Sequence, residues 1–262
     1  LDANQSLVLD LTLTQETPDA YDSDKVKSSA MILRDFTPHI QGGLGTGYNY
    51  SRVEQFGSDD RFAYVFFPLQ VMLDYRDDRL NPVSGYQAFA RTVWNEDTMG
   101  DDPFLKTYLE GRDYHLLLQK YRLSSALRVT LGSINGADLE TVPADERFYA
   151  GGGGSIRGYE YQSVGPKLVG TPIGGDKLIE FSAELRLQPG NRLGYVVFLD
   201  GGSVYNELSV GSITDSLRYG AGIGLRWFTT IGPLRADLAY PLNPDESQKE
   251  QLQFYISLGQ AF

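Results

Sequence analysis

The chain has 262 residues, and 23 lysines and arginines against 34 aspartates and glutamates leave a net charge of −11. That acidity argues against a nucleic-acid surface, which needs a basic stripe to release counterions, and the lack of cysteine excludes disulfides, iron–sulfur clusters and thiolate zinc sites. Two histidines, His39 and His115, are too few for a multi-histidine metal centre, and no apolar run is long enough for a membrane helix.

Apolar residues recur with a period of two, the spacing of strands. The first run, 7–14, sets Leu7, Leu9, Leu11 and Leu13 against Val8, Asp10, Thr12 and Thr14. A weaker run at 25–34 is followed by 40–50, where Leu44, Tyr48 and Tyr50 oppose Gly43, Gly45, Gly47 and Asn49. The run 67–76 carries Phe67, Leu69, Val71 and Leu73 on one face. Weaker patterns at 84–96 and 103–117 precede 123–132, where Leu127, Val129 and Leu131 oppose Arg128 and Thr130. In 179–188, Phe181, Ala183 and Leu185 oppose Ser182, Glu184 and Arg186; in 193–204 both faces are apolar around Tyr195 to Leu199. The runs 217–227, 233–240 and 252–262 complete about twelve strands, and the last sets Phe254, Ile256, Leu258 and Phe262 against Gln253, Tyr255, Ser257 and Gly259. The opening residues carry neither the basic nor the apolar part of a signal peptide, so one is expected to be absent or already removed.

Tight links at 34–38, 76–84, 118–122, 188–192 and 228–233 alternate with longer ones at 16–24, 53–60, 97–102, 133–177, 205–216 and 241–250. Short and long links alternate in an up-and-down antiparallel barrel of an outer membrane. Period-two alternation alone fits a soluble sandwich equally well. Tyrosine-rich strand ends, a last strand ending on Phe262 and mid-strand charges such as Glu184, Arg186, Arg218 and Arg226 favour the membrane barrel with a wet lumen.

The longest link holds the most unusual segment, Arg147-Phe148-Tyr149-Ala150 followed by four glycines and Ser155-Ile156-Arg157-Gly158-Tyr159. No Gly-Lys-Ser/Thr follows the glycines, so a phosphate cradle fails. Arg157 stands where a nucleophile elbow needs glycine. Gly43-Leu44-Gly45-Thr46-Gly47 lies within a strand pattern, which argues against a dinucleotide site. A glycine-rich loop of this length can fold back into a lumen, where a buried guanidinium needs acceptors. Glu184 and Asp200 stand on neighbouring strands and offer forked partners. Two alternatives stay open on spacing alone: a solvated Arg157, and a glycosidase pairing of Glu184 with Asp200.

The segment 148–159, with Gly154, Ser155, Ile156, Arg157, Gly158 and Tyr159 at its end, resembles the signature loop of the outer-membrane insertase superfamily of BamA and TamA. Phe198-Leu199-Asp200-Gly201-Gly202 resembles that family's Phe-x-Asp-x-Gly strand, and Ser182-Ala183-Glu184-Leu185 its glutamate-bearing strand. Asp74 to Asp78 with Asn81-Pro82 and Gly85 is similar to its periplasmic turn. Residues 254–262 resemble its C-terminal assembly signal. The closest resemblance is to the TamA-type, autotransporter-assembly branch.

The resemblance implies one outer-membrane β-barrel domain over 1–262, with a lumen-inserting loop at 133–177 and an assembly strand at 251–262. Arg157 would clamp the loop through Glu184 and Asp200. Phe254, Ile256, Leu258, Gly259 and Phe262 would form the seam and assembly signal. The family has no catalytic residue, metal or cofactor. Its partners are outer-membrane lipids, client outer-membrane or autotransporter proteins, and an inner-membrane-anchored periplasmic protein of the TamB type. Relatives have periplasmic POTRA domains and sixteen strands. The chain is therefore expected to be either a fragment or a reduced barrel in which 7–14 closes against 251–262. Competing functions are a passive pore, a two-partner-secretion translocator and, last, an enzyme or lectin.

Overall fold

A computed structural model describes residues 2–206, 216–230, 232–245, 248 and 250–262. Twelve strands form one antiparallel wall in chain order: β1 (Gln5–Glu16), β2 (Asp22–Thr37), β3 (Ile40–Gln55), β4 (Ser58–Asp74), β5 (Gly85–Asp97), β6 (Phe104–Leu118), β7 (Leu123–Asn135), β10 (Lys177–Leu187), β11 (Leu193–Tyr205), β12 (Arg218–Thr229), β13 (Gly232–Pro241) and β14 (Gln253–Leu258). The short strands β8 (Lys167–Leu168) and β9 (Thr171–Pro172) make a hairpin inside the long loop, which runs from 136 to 176. β1 and β14 form the two ends of the ladder.

The faces are inverted relative to a water-soluble sheet. Leu69, Val129, Val197, Ile223, Trp227 and Ile256 are all about half exposed or more on the outer face. Arg128, Glu184, Asp200, Arg226, Arg235 and Asp237 are buried on the inner one. Lipid solvates the first set, while backbone pairing between neighbouring strands keeps N–H and C=O groups of the inner strands from lying bare in hydrocarbon, leaving the outer edges of β1 and β14, among the described residues, unpaired with each other. The wall curves on itself: Asn81 in the β4–β5 link donates to Gln188 in the β10–β11 link at 3.1 Å, and Gln260 reaches the same Asn81 at 3.0 Å. The fold is an up-and-down antiparallel transmembrane β-barrel wall.

Four expectations need correction. The link expected over 53–60 is a two-residue turn, Phe56-Gly57. Both residues have positive φ (54° and 82°), the conformation that matches the strand twist, so β3 and β4 simply extend into what looked like loop. The link expected to be tight at 76–84 lies there, at 75–84, but is a folded ten-residue loop rather than a tight turn. It is folded by Asp77 accepting from the Val83 and Ser84 amides and Asp78 from those of Leu80 and Asn81. The last strand stops at Leu258; Gly259 takes φ +99°, and Phe262 turns into the lumen, where it is buried against Tyr114 and Ala126. Glu184, Arg186 and Arg226 line no wet lumen: all three are buried, Glu184 against Arg157 of the long loop, Arg186 against the Phe262 ring, and Arg226 paired with Asp237. The links expected at 205–216, 228–233 and 241–250 lie wholly or partly outside the described residues.

The doubly apolar stretch 195–199 has a packing reason. Tyr195, Val197 and Leu199 face outward, whereas Val196 and Phe198 form an inner cluster with Ala239 against Tyr255.

Candidate loop-anchoring site

The loop enters the lumen because its glycines permit a path that side chains would block. Gly151, Gly152 and Gly158 have φ of +107°, +96° and +102°, a region L side chains rarely adopt. Gly220 on β12 faces the Arg157 backbone so closely that a β-carbon there would overlap the Arg157 carbonyl oxygen. Ile156 and Tyr159 then pack in the main inner cluster with Phe104, Phe148 and Val204.

Arg157, only 2% exposed, is the centre of the site. Its Nε and Nη2 donate to the two oxygens of Asp200 at 2.7 and 2.9 Å, a forked pair. Its Nη1 donates to Glu184 at 2.8 Å and to Asp237 at 3.0 Å, and its own amide donates to Asp200 at 3.1 Å. The guanidinium carbon lies 3.4 Å from the Phe198 ring centroid, a stacked cation–π contact. Burial works against the charge. The Asp200 hydrogen bonds and the Glu184, Asp200 and Asp237 charges outweigh it, holding Arg157 above the ordinary arginine value.

The acceptors are shared with wall arginines. Arg186 donates to Glu184 at 2.8 Å, Arg226 pairs with Asp237, and Arg235 approaches Asp237 at 3.4 Å. Wall arginines also hold the loop backbone: Arg128 donates to the Gly154 and Ser155 carbonyls at 3.1 and 3.3 Å, and Arg235 to that of Gly153 at 2.9 Å. Ser155 donates to Glu180. On the last strand, the Tyr255 hydroxyl accepts from the Gly158 amide at 3.1 Å and donates to the Tyr159 carbonyl at 2.9 Å.

Of the residues singled out from sequence, Arg157, Glu184 and Asp200 meet directly, and Ser155, Ile156, Gly158 and Tyr159 lie in the same packed segment. Gly154 contributes its carbonyl. Phe254, Ile256 and Leu258 lie apart on the outer face, each exposed by 59% or more. Phe262 belongs to a separate inner patch, beneath Arg186 and Arg128 with ring centroids 5.0 and 5.5 Å from the guanidinium carbons.

Sequence reasoning missed Asp237, Tyr255, Arg128 and Arg235 as partners of the loop, and placed Arg186 and Arg226 only as lumen charges. It also missed a second anchor upstream in the loop. A 3-10 turn over Ala144–Glu146 puts Asp145 at 2.8 Å and Glu146 at 3.0 Å from the Lys25 ammonium, with Lys106 at 3.2 Å from Glu146. Burial raises Asp145 above the ordinary aspartate value despite Lys25. Burial opposes ionisation of Glu146 too, but Lys106, Lys25 and Lys27 prevail and hold it below the ordinary glutamate value.

A model of the Omp85 superfamily domain matches residues 1–262. Among curated proteins, the outer membrane protein assembly factor BamA of Nitratidesulfovibrio vulgaris is 29% identical over 241 residues, covering 84% of this chain and 30% of that protein. BamA of Neisseria meningitidis is 34% identical over 154 residues, 46% of this chain and 19% of that one. This chain thus spans less than a third of the length of these two BamA proteins. Among solved structures, BamA from Haemophilus ducreyi lacking POTRA domains 1–3 aligns with a TM-score of 0.78 at 20% identity, covering 92% of this chain and 56% of that one. CdiB from Acinetobacter baumannii aligns with a TM-score of 0.60 at 16% identity, covering 92% and 43%.

Proposed function

The chain belongs to the Omp85 superfamily, and from that premise we propose that it works as the outer-membrane barrel part of a protein assembly factor. The protein resides in the outer membrane. Its action is mechanical: an exposed strand edge templates an incoming strand, so that client backbone never enters lipid unpaired.

The observation that carries this reading is the buried anchor of Arg157, on β10, β11 and β13, together with the Tyr255 bridge to β14. A plugged lumen argues against a passive pore. Two features favour opening beside β14: its six residues make it the shortest wall strand, and the loop's hydrogen bonds to it, among the described residues, run through the one Tyr255 hydroxyl. The loop would then hold the wall in register while β14 parts from it. Clients of the autotransporter type, and a TamB-like periplasmic partner, are the finer form of the proposal. The likeness to CdiB supports a second reading, a translocator for one secreted partner.

The test is client assembly by the full-length protein carrying Arg157→Ala or Asp200→Asn. Reduced assembly at wild-type abundance is the expected result. Unchanged assembly refutes the anchor's role, and secretion of a single partner without effect on other barrels selects the second reading.

A further inference from the structure

The inner wall carries a second charged cluster away from the Arg157 anchor. Strands β2, β5 and β6 present Lys27, Arg91 and Lys106 around a cavity of about 350 Å3, whose apolar side is Phe89, Val93 and Phe148. Lys106 is committed to the loop: its ammonium donates to the Glu146 carbonyl at 2.6 Å and to the carboxylate at 3.2 Å. Lys25 is committed likewise, to Asp145 and Glu146. Lys27 and Arg91 have no carboxylate within ion-pair distance among the described residues. The Lys27 ammonium lies 4.8 Å from the Phe66 centroid, and the Arg91 Nε is buried without a hydrogen-bond partner. Glu110, on β6 two residues beyond the cavity's Tyr108, is held by Arg112 at 2.7 Å and by the Tyr108 hydroxyl at 3.0 Å. Four cations, Lys25, Lys27, Arg91 and Lys106, therefore face two carboxylates, Asp145 and Glu146.

We propose that this cavity is a binding site for a phosphate monoester carried on a small apolar body. An unpaired, partly desolvated guanidinium is costly, and a phosphate offers it forked acceptors. A monoester carries about two negative charges near neutral pH, which matches the surplus of two. Phe89, Val93 and Phe148 give the organic body an apolar wall, the mixed lining of a small-molecule site. The ligand and Glu146 compete for Lys106, so occupancy loosens the loop's upstream anchor and leaves that of Arg157 untouched.

The experiment is calorimetric titration of phenyl phosphate into the full-length protein in neutral detergent. One saturable site is expected, with inorganic phosphate binding more weakly. Lys27→Gln and Arg91→Gln should each weaken binding roughly tenfold, the effect of one charge-assisted contact. Glu146→Gln should tighten it, a gain that general structural damage does not produce. An unchanged β-sheet circular dichroism signal verifies that each variant is folded. Dihexanoyl phosphatidic acid separates the two sources of such a group: tighter binding than phenyl phosphate assigns the site to a lipid headgroup, weaker binding to a soluble ester. Absence of saturable binding, or equal affinity in wild type, Lys27→Gln and Arg91→Gln, overturns the proposal.

Discussion

Removal of the Arg157 side chain should release the loop, and the structure sets the size of the effect. In Arg157→Ala, Glu184 keeps Arg186 at 2.8 Å, and Asp237 keeps Arg226 and Arg235. Asp200 keeps only the Ser182 hydroxyl at 2.5 Å and the backbone amide of residue 157. One buried carboxylate is therefore orphaned rather than three. Breaking a buried pair by deleting one partner costs about 3–5 kcal/mol, and the loss of the Phe198 stack falls within that range. Because the chain contains no cysteine, Ile156→Cys creates a single buried thiol in the loop, and its maleimide labelling rate reports loop opening. At 1.4 kcal/mol per tenfold, labelling should rise roughly 140- to 3700-fold when Arg157→Ala is added. Adding Asp200→Asn to that pair removes the orphaned charge and should bring the rate part of the way back. A rate within threefold of the Ile156→Cys parent, or a faster rate on adding Asp200→Asn, refutes the reasoning.

Gly220→Ala places a methyl group against the Arg157 carbonyl and should raise the same labelling rate about tenfold, the overpacking range of 1–3 kcal/mol, without altering any charge. The upstream anchor should respond to acid. The folded-state pKa of Glu146 lies below its ordinary 4.5, so its stabilisation is complete above that pH and is lost as pH falls toward the folded value. Asp145, raised above 3.8, has the opposite sign and favours the docked loop once protonated. Hydrogen exchange over 142–150, corrected for intrinsic rates, should therefore quicken in Glu146→Gln and slow in Asp145→Asn at neutral pH. On the outer face, Val129→Arg should destabilise the barrel by about 2–4 kcal/mol in urea unfolding from bilayers, although the adjacent Arg128 is tolerated on the inner face.

The wall was legible because lipid and lumen impose opposite demands on alternate residues. Leu127, Val129 and Leu131 against Arg128 and Thr130 can be read directly from the chain. The ends of elements were not legible where turn conformation decides them. Phe56-Gly57 looks like part of a polar loop, yet two positive φ values close it in two residues. Leu258 and Phe262 share a parity, and only the left-handed Gly259 separates an outer-face residue from one buried in the lumen. In the site, the contact of Arg157 with Glu184 and Asp200 was anticipated because all three sit in recognisable segments. Asp237 was not, because its strand carried a weak pattern, and a carboxylate alternating with Arg235 reads as an ordinary polar face. Lys25 and Lys106 lie more than a hundred and about forty residues from Asp145 and Glu146, and no local pattern reports pairing across a curved wall.

The two anchors have opposite polarity, which constrains how the loop can sit. A cation, Arg157, enters among the wall carboxylates Glu184, Asp200 and Asp237, and two carboxylates, Asp145 and Glu146, enter among the wall lysines Lys25 and Lys106. Sliding the loop by one position, or reversing it, would set like charges together in a medium that screens them poorly. A purely apolar plug could match the stability, since buried ion pairs contribute little net free energy against well-packed hydrophobic side chains. It would not distinguish one register from the next. The charges thus act mainly on specificity, and the same low net stability leaves each end releasable: the Arg157 end by loss of Asp200, the Glu146 end by an anion that takes Lys106.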